Sequence, residues 1–184
     1  MAVTAARVLR PEPETDMEHA HSYTLEMDMP RSAAWQRLRD LTVAHHYVPG
    51  LTGTEITTAQ KEGVGASRRV HQSGGRWLDE TVTSWTEGHG FEIRLHRGAE
   101  GMGPPFREAS FRYWLEDAEG GRTRIVLGLS YDLRWGWLGA LLERLAMGRG
   151  VTGNLRDVAL GMREYYLTGA PVSDARRAEL RRAQ

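Results

Sequence analysis

The sequence predicts an α+β domain in which a curved, seven-stranded antiparallel sheet is covered on one face by helices. Three observations carry that prediction. Seven strand-like stretches, several of them alternating apolar with polar residues, are set off by turn residues, a proline separates the first stretch from a helical pattern, and apolar residues recur at three- and four-residue steps near the C-terminus.

Residues 1–18 mix alanine, arginine, proline and acid without a period and read as a flexible leader. In "HSYTLEMDM", Tyr23, Leu25, Met27 and Met29 share one face and Thr24, Glu26 and Asp28 the other, the pattern of a half-buried strand. Pro30 then suits a first helical turn and Ser32 offers an N-cap oxygen, with Ala33, Ala34, Trp35, Leu38 and Leu41 following at helical spacing. "LTVAHHYVPG" reads as a second short helix that stops before Pro49. Six more strands follow in meander order: "TGTEITTAQ", "GASRRVHQSG", "RWLDETVTSWTE", "GFEIRLHRG", "REASFRYWLED" and "RTRIVLGLSYDL". Over residues 137–167, Leu138, Leu141, Leu142, Leu145, Leu155, Val158, Ala159, Met162 and Tyr166 predict one long helix, kinked or broken near 148–153 by its glycines. The domain is thus expected over 19–168, with 169–184 a charged tail that frays or forms an exposed stub.

Composition narrows the function. Hydrophobic residues make up 40% of the chain and charged residues 26%, as in a soluble globular protein. Twenty-four basic residues balance 24 acidic ones, so no global field draws in nucleic acid or anionic lipid. With no cysteine there is no disulfide, thiol catalysis or cysteine-ligated metal. No apolar run approaches the length of a signal core or a membrane span, which makes the cytoplasm the expected location and integral membrane association unexpected.

Strand, two short helices, six strands and a long C-terminal helix resembles the START-like superfamily, also called helix-grip or SRPBCC proteins, in its polyketide cyclase/dehydrase and lipid-transport branch. The likeness rests on "MPRSAAW" after the first strand, "HHYVPG" closing the second helix, "AEGGRTRIVL" at the last hairpin and a final helix ending in "LGMREYY". It covers roughly residues 20–168, and it departs from the family at Met29, where alanine is usual, and at His45, His46 and Tyr47, near where a tryptophan is often found.

The resemblance implies that the helices close the sheet into a cup holding a flat apolar molecule, with Trp35 anchoring the first helix. Alternation and similarity together place Trp77, Thr81, Trp85, Phe111, Tyr113, Leu127 and Tyr131 on the concave face, with Leu155, Ala159 and Met162 contributed by the helix. Each of these residues alone is better explained by a closed core, and only together do the aromatics and tyrosine hydroxyls favour a ligand cup. His46 and Tyr47 either border the mouth or, as is commoner for such residues, simply end the short helix at the surface. In the cyclase branch, arginine and tyrosine donors polarise carbonyls of a folded poly-β-ketone, and Arg97, Tyr113 and Tyr131 are the catalytic candidates by similarity. An arginine there stabilises negative charge and cannot act as a base.

His45 and His46 are adjacent, about 100° apart on a helix, so they do not form a metal pair, and neither a metal nor another cofactor is expected. "GVGASRR" and "RGAEGMGPP" lack the context of a phosphate loop and read as hairpin turns, the second a flap candidate. The expected partner is a small hydrophobic molecule. Carrier, polyketide cyclase/dehydratase, and regulatory partner-binding protein with a filled cavity are the three readings, and the oligomeric state is open.

Overall fold

A computed structural model describes residues 17–99, 101–134 and 148–183. Most of the expected leader and residues 137–147 of the expected helix, including Leu138, Leu141, Leu142 and Leu145, lie outside the described residues.

Seven strands form one antiparallel sheet: β1 (His19–Met27), β2 (Leu51–Ile56), β3 (Ser67–Gln72), β4 (Trp77–Thr86), β5 (Gly90–His96), β6 (Phe106–Ala118) and β7 (Arg122–Leu133). Their spatial order is β1-β7-β6-β5-β4-β3-β2, so β2 to β7 form a meander and β1 closes against the last strand. Register follows the alternation. Tyr23 opposes Leu127 and Leu25 opposes Ile125; Tyr113 opposes both Leu127 and Phe91; Phe111 opposes Ile93. These apolar residues make the inner face, while Arg94, Arg112, Arg124 and Gly128 lie on the outer one.

Between β1 and β2 lie α1 (Arg31–Leu38) and a 3₁₀ helix, Leu41–His46. Pro30, rather than Ser32, stands at the N-cap of α1, where its carbonyl accepts from the amides of Ala33 and Ala34. The missing proline N–H costs nothing at that position. Asp40 caps the 3₁₀ helix by accepting from the Thr42 amide.

The helix α2 (Gly148–Thr168) runs without interruption through Gly150 and Gly153 and lies against β1 and β7. Its buried stripe of Leu155, Val158, Ala159, Met162 and Tyr166 joins Trp35, Leu38, Tyr47, Ile93, Tyr113, Ile125 and Leu127 in one core.

The stretch expected as a charged tail folds back as α3 (Asp174–Arg182). Ser173 caps it, and Leu180 packs with Val172 against Leu160 of α2. Two apolar residues and a serine cap, spread thinly among charges, are enough to seat it because α2 supplies the other half of that small core.

Candidate ligand site

An aromatic chain crosses the inner face. Trp35 of α1 meets Trp85 of β4 edge-on at 5.0 Å, Trp85 stacks on Phe91 at 5.4 Å, Phe91 meets Tyr113 at 5.1 Å and Tyr113 meets Phe111 at 4.6 Å. Trp35 also donates through its indole N–H to Glu87. It is 2% exposed, and so serves as the anchor of α1 on the sheet.

The polar centre of the inner face, an arginine and a glutamate, was not among the expected residues. Arg68 of β3 opposes Glu80 of β4, and both point to the inner face. Arg68 Nε donates to Glu80 Oε2 at 2.6 Å, and Nη1 donates to the Leu41 carbonyl at 3.0 Å, tying the start of the 3₁₀ helix to the sheet. The Arg68 side chain is 2% exposed and that of Glu80 11%. Burial works against the guanidinium charge, but Glu80, assisted by Tyr113 and Tyr47, outweighs it and holds Arg68 more firmly protonated than usual.

Three tyrosines surround the pair. The Tyr47 and Tyr113 hydroxyls lie within interaction range of Arg68, and Tyr166 of α2 stands edge-on to Tyr47 at 5.9 Å. Desolvation raises the pKa of all three phenols above the ordinary value, so each stays neutral at physiological pH. Arg68 Nη2 and the Tyr166 hydroxyl are buried with no partner in good hydrogen-bonding geometry, although the Tyr47 phenol stands close enough to interact with both. A group of this kind costs about 1–3 kcal/mol if nothing satisfies it.

Of the residues expected to line a cavity, Trp85, Phe111, Tyr113, Leu127, Leu155, Ala159 and Met162 lie in the inner core, as does Tyr47. Trp77 and Thr81 do not. Both lie on the outer face, because an irregularity between Val82 and Ser84 switches the parity of β4, so that Val82 and Trp85 both point inward. Trp77 there lies under the Arg69 guanidinium at 3.9 Å, and Thr81 bonds to His96 Nε2 at 2.8 Å and Ser67 Oγ at 3.0 Å.

Arg97 is exposed just beyond β5, since Leu95 is the last inward residue before the turn at Gly98. Tyr131 is buried on the inner face, with its hydroxyl 3.2 Å from His21 Nε2, but it sits four residues along β7 from Leu127, roughly 13 Å from the position opposite Tyr113. Arg97, Tyr113 and Tyr131 therefore do not form one constellation. The His46 ring lies between His45 and Tyr165, at 4.1 and 5.1 Å.

Among the described residues no cluster of three or more histidine or acidic side chains could hold a metal ion, and no helix is long and apolar enough to cross a membrane.

The sheet, the helix across it and this enclosed inner face coincide with a family model described as polyketide cyclase/dehydrase and lipid transport, matched over residues 19–166. The chain belongs to that family. Solved structures agree on its helix-grip, START-like fold. A START superfamily protein from Mycobacterium smegmatis is 15% identical with a TM-score of 0.61, covering 83% of this chain and 99% of its own. A Thermus thermophilus protein, TTHA0849, is 19% identical with a TM-score of 0.62, covering 82% and 99%. The crystal structure of Ara h 8.0201 gives 16%, 0.61, 82% and 99%. At these identities the likeness concerns the fold alone. A comparison with curated proteins returns no match. In this family member, α3 begins after the matched residues end.

Proposed function

We propose that this protein binds a small, flat hydrophobic molecule in the cup between the sheet and α2, with an uncharged oxygen of that molecule hydrogen-bonded in the Arg68 cluster. The observation that carries the reading is the pair of buried donors, Arg68 Nη2 and the Tyr166 hydroxyl, that reach no acceptor in good hydrogen-bonding geometry and stand beside an aromatic floor. A ligand oxygen satisfies them, and apolar contact supplies the bulk of the affinity at about 25 cal/mol per Å².

Charge selects the kind of oxygen. Arg68 is already neutralised by Glu80 at 2.6 Å, and the neighbouring phenols are neutral. A carboxylate placed there would be a third charge in a dry site with no counter-ion left for it. A ketone, phenol or alcohol carries no such penalty.

The test is a matched pair of bicyclic ligands, 2-acetylnaphthalene and 2-naphthoate, compared by calorimetry and thermal shift. The ketone is expected to raise the melting temperature by linkage and the acid to do so less. In Glu80→Gln, which leaves Arg68 uncompensated, the preference should reverse. Tighter binding of the acid by the native protein would sink the reading.

The cyclase/dehydratase reading draws on the same donors, since a guanidinium and three phenols suit a developing enolate. It requires turnover that Tyr113→Phe abolishes while affinity survives. A partner-binding protein with a filled cup predicts that neither naphthalene binds.

A further inference from the structure

The 3₁₀ helix Leu41–His46 is held at both ends by buried arginines. Arg68 reaches the Leu41 carbonyl from inside the cup. At the other end, Arg177 of α3, 7% exposed, donates through Nη1 to the Tyr47 carbonyl at 2.6 Å. The Val172 amide, on the approach to α3, donates to the neighbouring His46 carbonyl at 2.9 Å. The last carbonyls of that short helix, which would otherwise be orphans, are thus satisfied by the C-terminal segment.

The approach is close enough to dictate a residue of α2. A Cβ on Gly161 would stand 2.2 Å from the Tyr47 carbonyl oxygen and 2.8 Å from Arg177 Nη1. Tyr47 is therefore gripped from two sides: its carbonyl by Arg177, and its phenol among Arg68, Tyr113 and Tyr166. Helix α3 is itself staked to α2 by Arg181 on Asp157, at 2.7 and 2.5 Å, and by Arg176 on Glu164 at 2.8 Å. Exposed pairs of this kind contribute little stability, but they orient the helix that carries Arg177.

We infer that Arg177 is a positioning residue for the ligand site: through the Tyr47 backbone it sets where the Tyr47 hydroxyl stands in the cup. The C-terminal helix, which lies beyond the family match at 19–166, thereby becomes part of the binding apparatus of this chain. The inference rests on the cup being a ligand site, and the experiment separates the two.

Hydrogen exchange is measured without ligand on the native protein, Arg177→Met and Arg177→Lys. Affinity is then measured for prodan, a fluorescent naphthyl ketone, on the same proteins and on Tyr47→Phe with and without Arg177→Met. In Arg177→Met the amides of residues 42–48 should exchange about 10-fold faster while those of β5 to β7 hold their rates. Prodan binding should weaken by roughly 10-fold, with lysine restoring part of the loss. In the Tyr47→Phe background the same change should alter affinity by less than about 2-fold, because the group being positioned is gone.

Unchanged exchange over 42–48 overturns the inference. So does full additivity of the two losses, the signature of general loosening. Should Arg177→Met fail to fold, the lysine variant carries both readouts. Faster exchange in a protein whose native form does not bind prodan refutes the cup as a ketone site, and the positioning role with it, while leaving the anchoring of the 3₁₀ helix intact.

Discussion

Cutting the Arg68–Glu80 pair from either side should be far more damaging than removing it whole. In Glu80→Gln the guanidinium keeps its charge, 2% exposed, with the carboxylate at 2.6 Å gone. Stranding a buried charge in this way costs about 3–5 kcal/mol. Arg68→Met strands the carboxylate and also leaves the Leu41 carbonyl without its donor, adding about 1 kcal/mol. In Arg68→Met with Glu80→Leu the charges vanish together, volumes are roughly kept, and the Leu41 carbonyl loses its donor, so the expected loss is about 1 kcal/mol. Urea unfolding at pH 7 gives each value from the midpoint and slope. At about 2–4 °C per kcal/mol for a chain of this size, Glu80→Gln should melt roughly 6–20 °C lower, Arg68→Met roughly 8–24 °C lower and the double variant only a few degrees lower. A Glu80→Gln cost below about 1 kcal/mol, or a double variant as unstable as the worse single one, would refute the picture of a desolvated pair.

Three further outcomes follow from the geometry. Gly161→Ala should destabilise by more than about 2 kcal/mol in thermal melts despite its helical location, whereas Gly153→Ala, with nothing within 4 Å, should gain about 0.5–1 kcal/mol. The hydrogen bond from Arg69 holds the Asp79 carboxyl below its ordinary range, and the Gly98 amide and the charges of Arg69 and His96 add to that against the opposing effect of burial. The stability it contributes is complete above the unfolded value near 4 and is lost as pH falls through the depressed one. Urea midpoints at pH 6 and pH 3 should accordingly fall further for the native protein than for Asp79→Asn. Thr81→Val, on the outer face, should cost about 1 kcal/mol of stability through its lost bonds to Ser67 and His96 and leave prodan affinity unchanged, while Tyr113→Phe weakens it.

The strands and both short helices were legible because each rests on a local pattern with a physical cause. Period-two alternation survives wherever one face of a sheet is buried, as in Phe91, Ile93 and Leu95, and Pro30 marks where a ladder donor runs out. The misplacement of Trp77 and Thr81 has an equally local origin. Unbroken alternation groups them with Trp85, but the irregularity after Val82 inverts the count, and nothing in "ETVTSW" announces it. Arg68 and Glu80 left a signal that was readable. In "LDETV" the glutamate occupies the same parity as Leu78 and Val82, and in "SRRV" Arg68 shares parity with Val70. An acid and a base on the apolar parity of successive strands are candidates for a buried pair. Arg177 left none, because its partner is a backbone carbonyl 130 residues away and "DARRAELRR" reads the same whether docked or free.

The placement of β1 beside β7 has a consequence for biosynthesis. His21 and its contact Tyr131 are 110 residues apart, and the first strand finds its sheet partner only once the last has been made. At about 5–20 residues per second, translation leaves Tyr23, Leu25 and Met27 without a docking surface for roughly 5–20 s. The emerging chain thus presents an unpaired, half-greasy strand to the ribosome's surroundings for the whole of that interval, and closure of the sheet against α2 is necessarily a late event, possible only after α2 has left the exit tunnel.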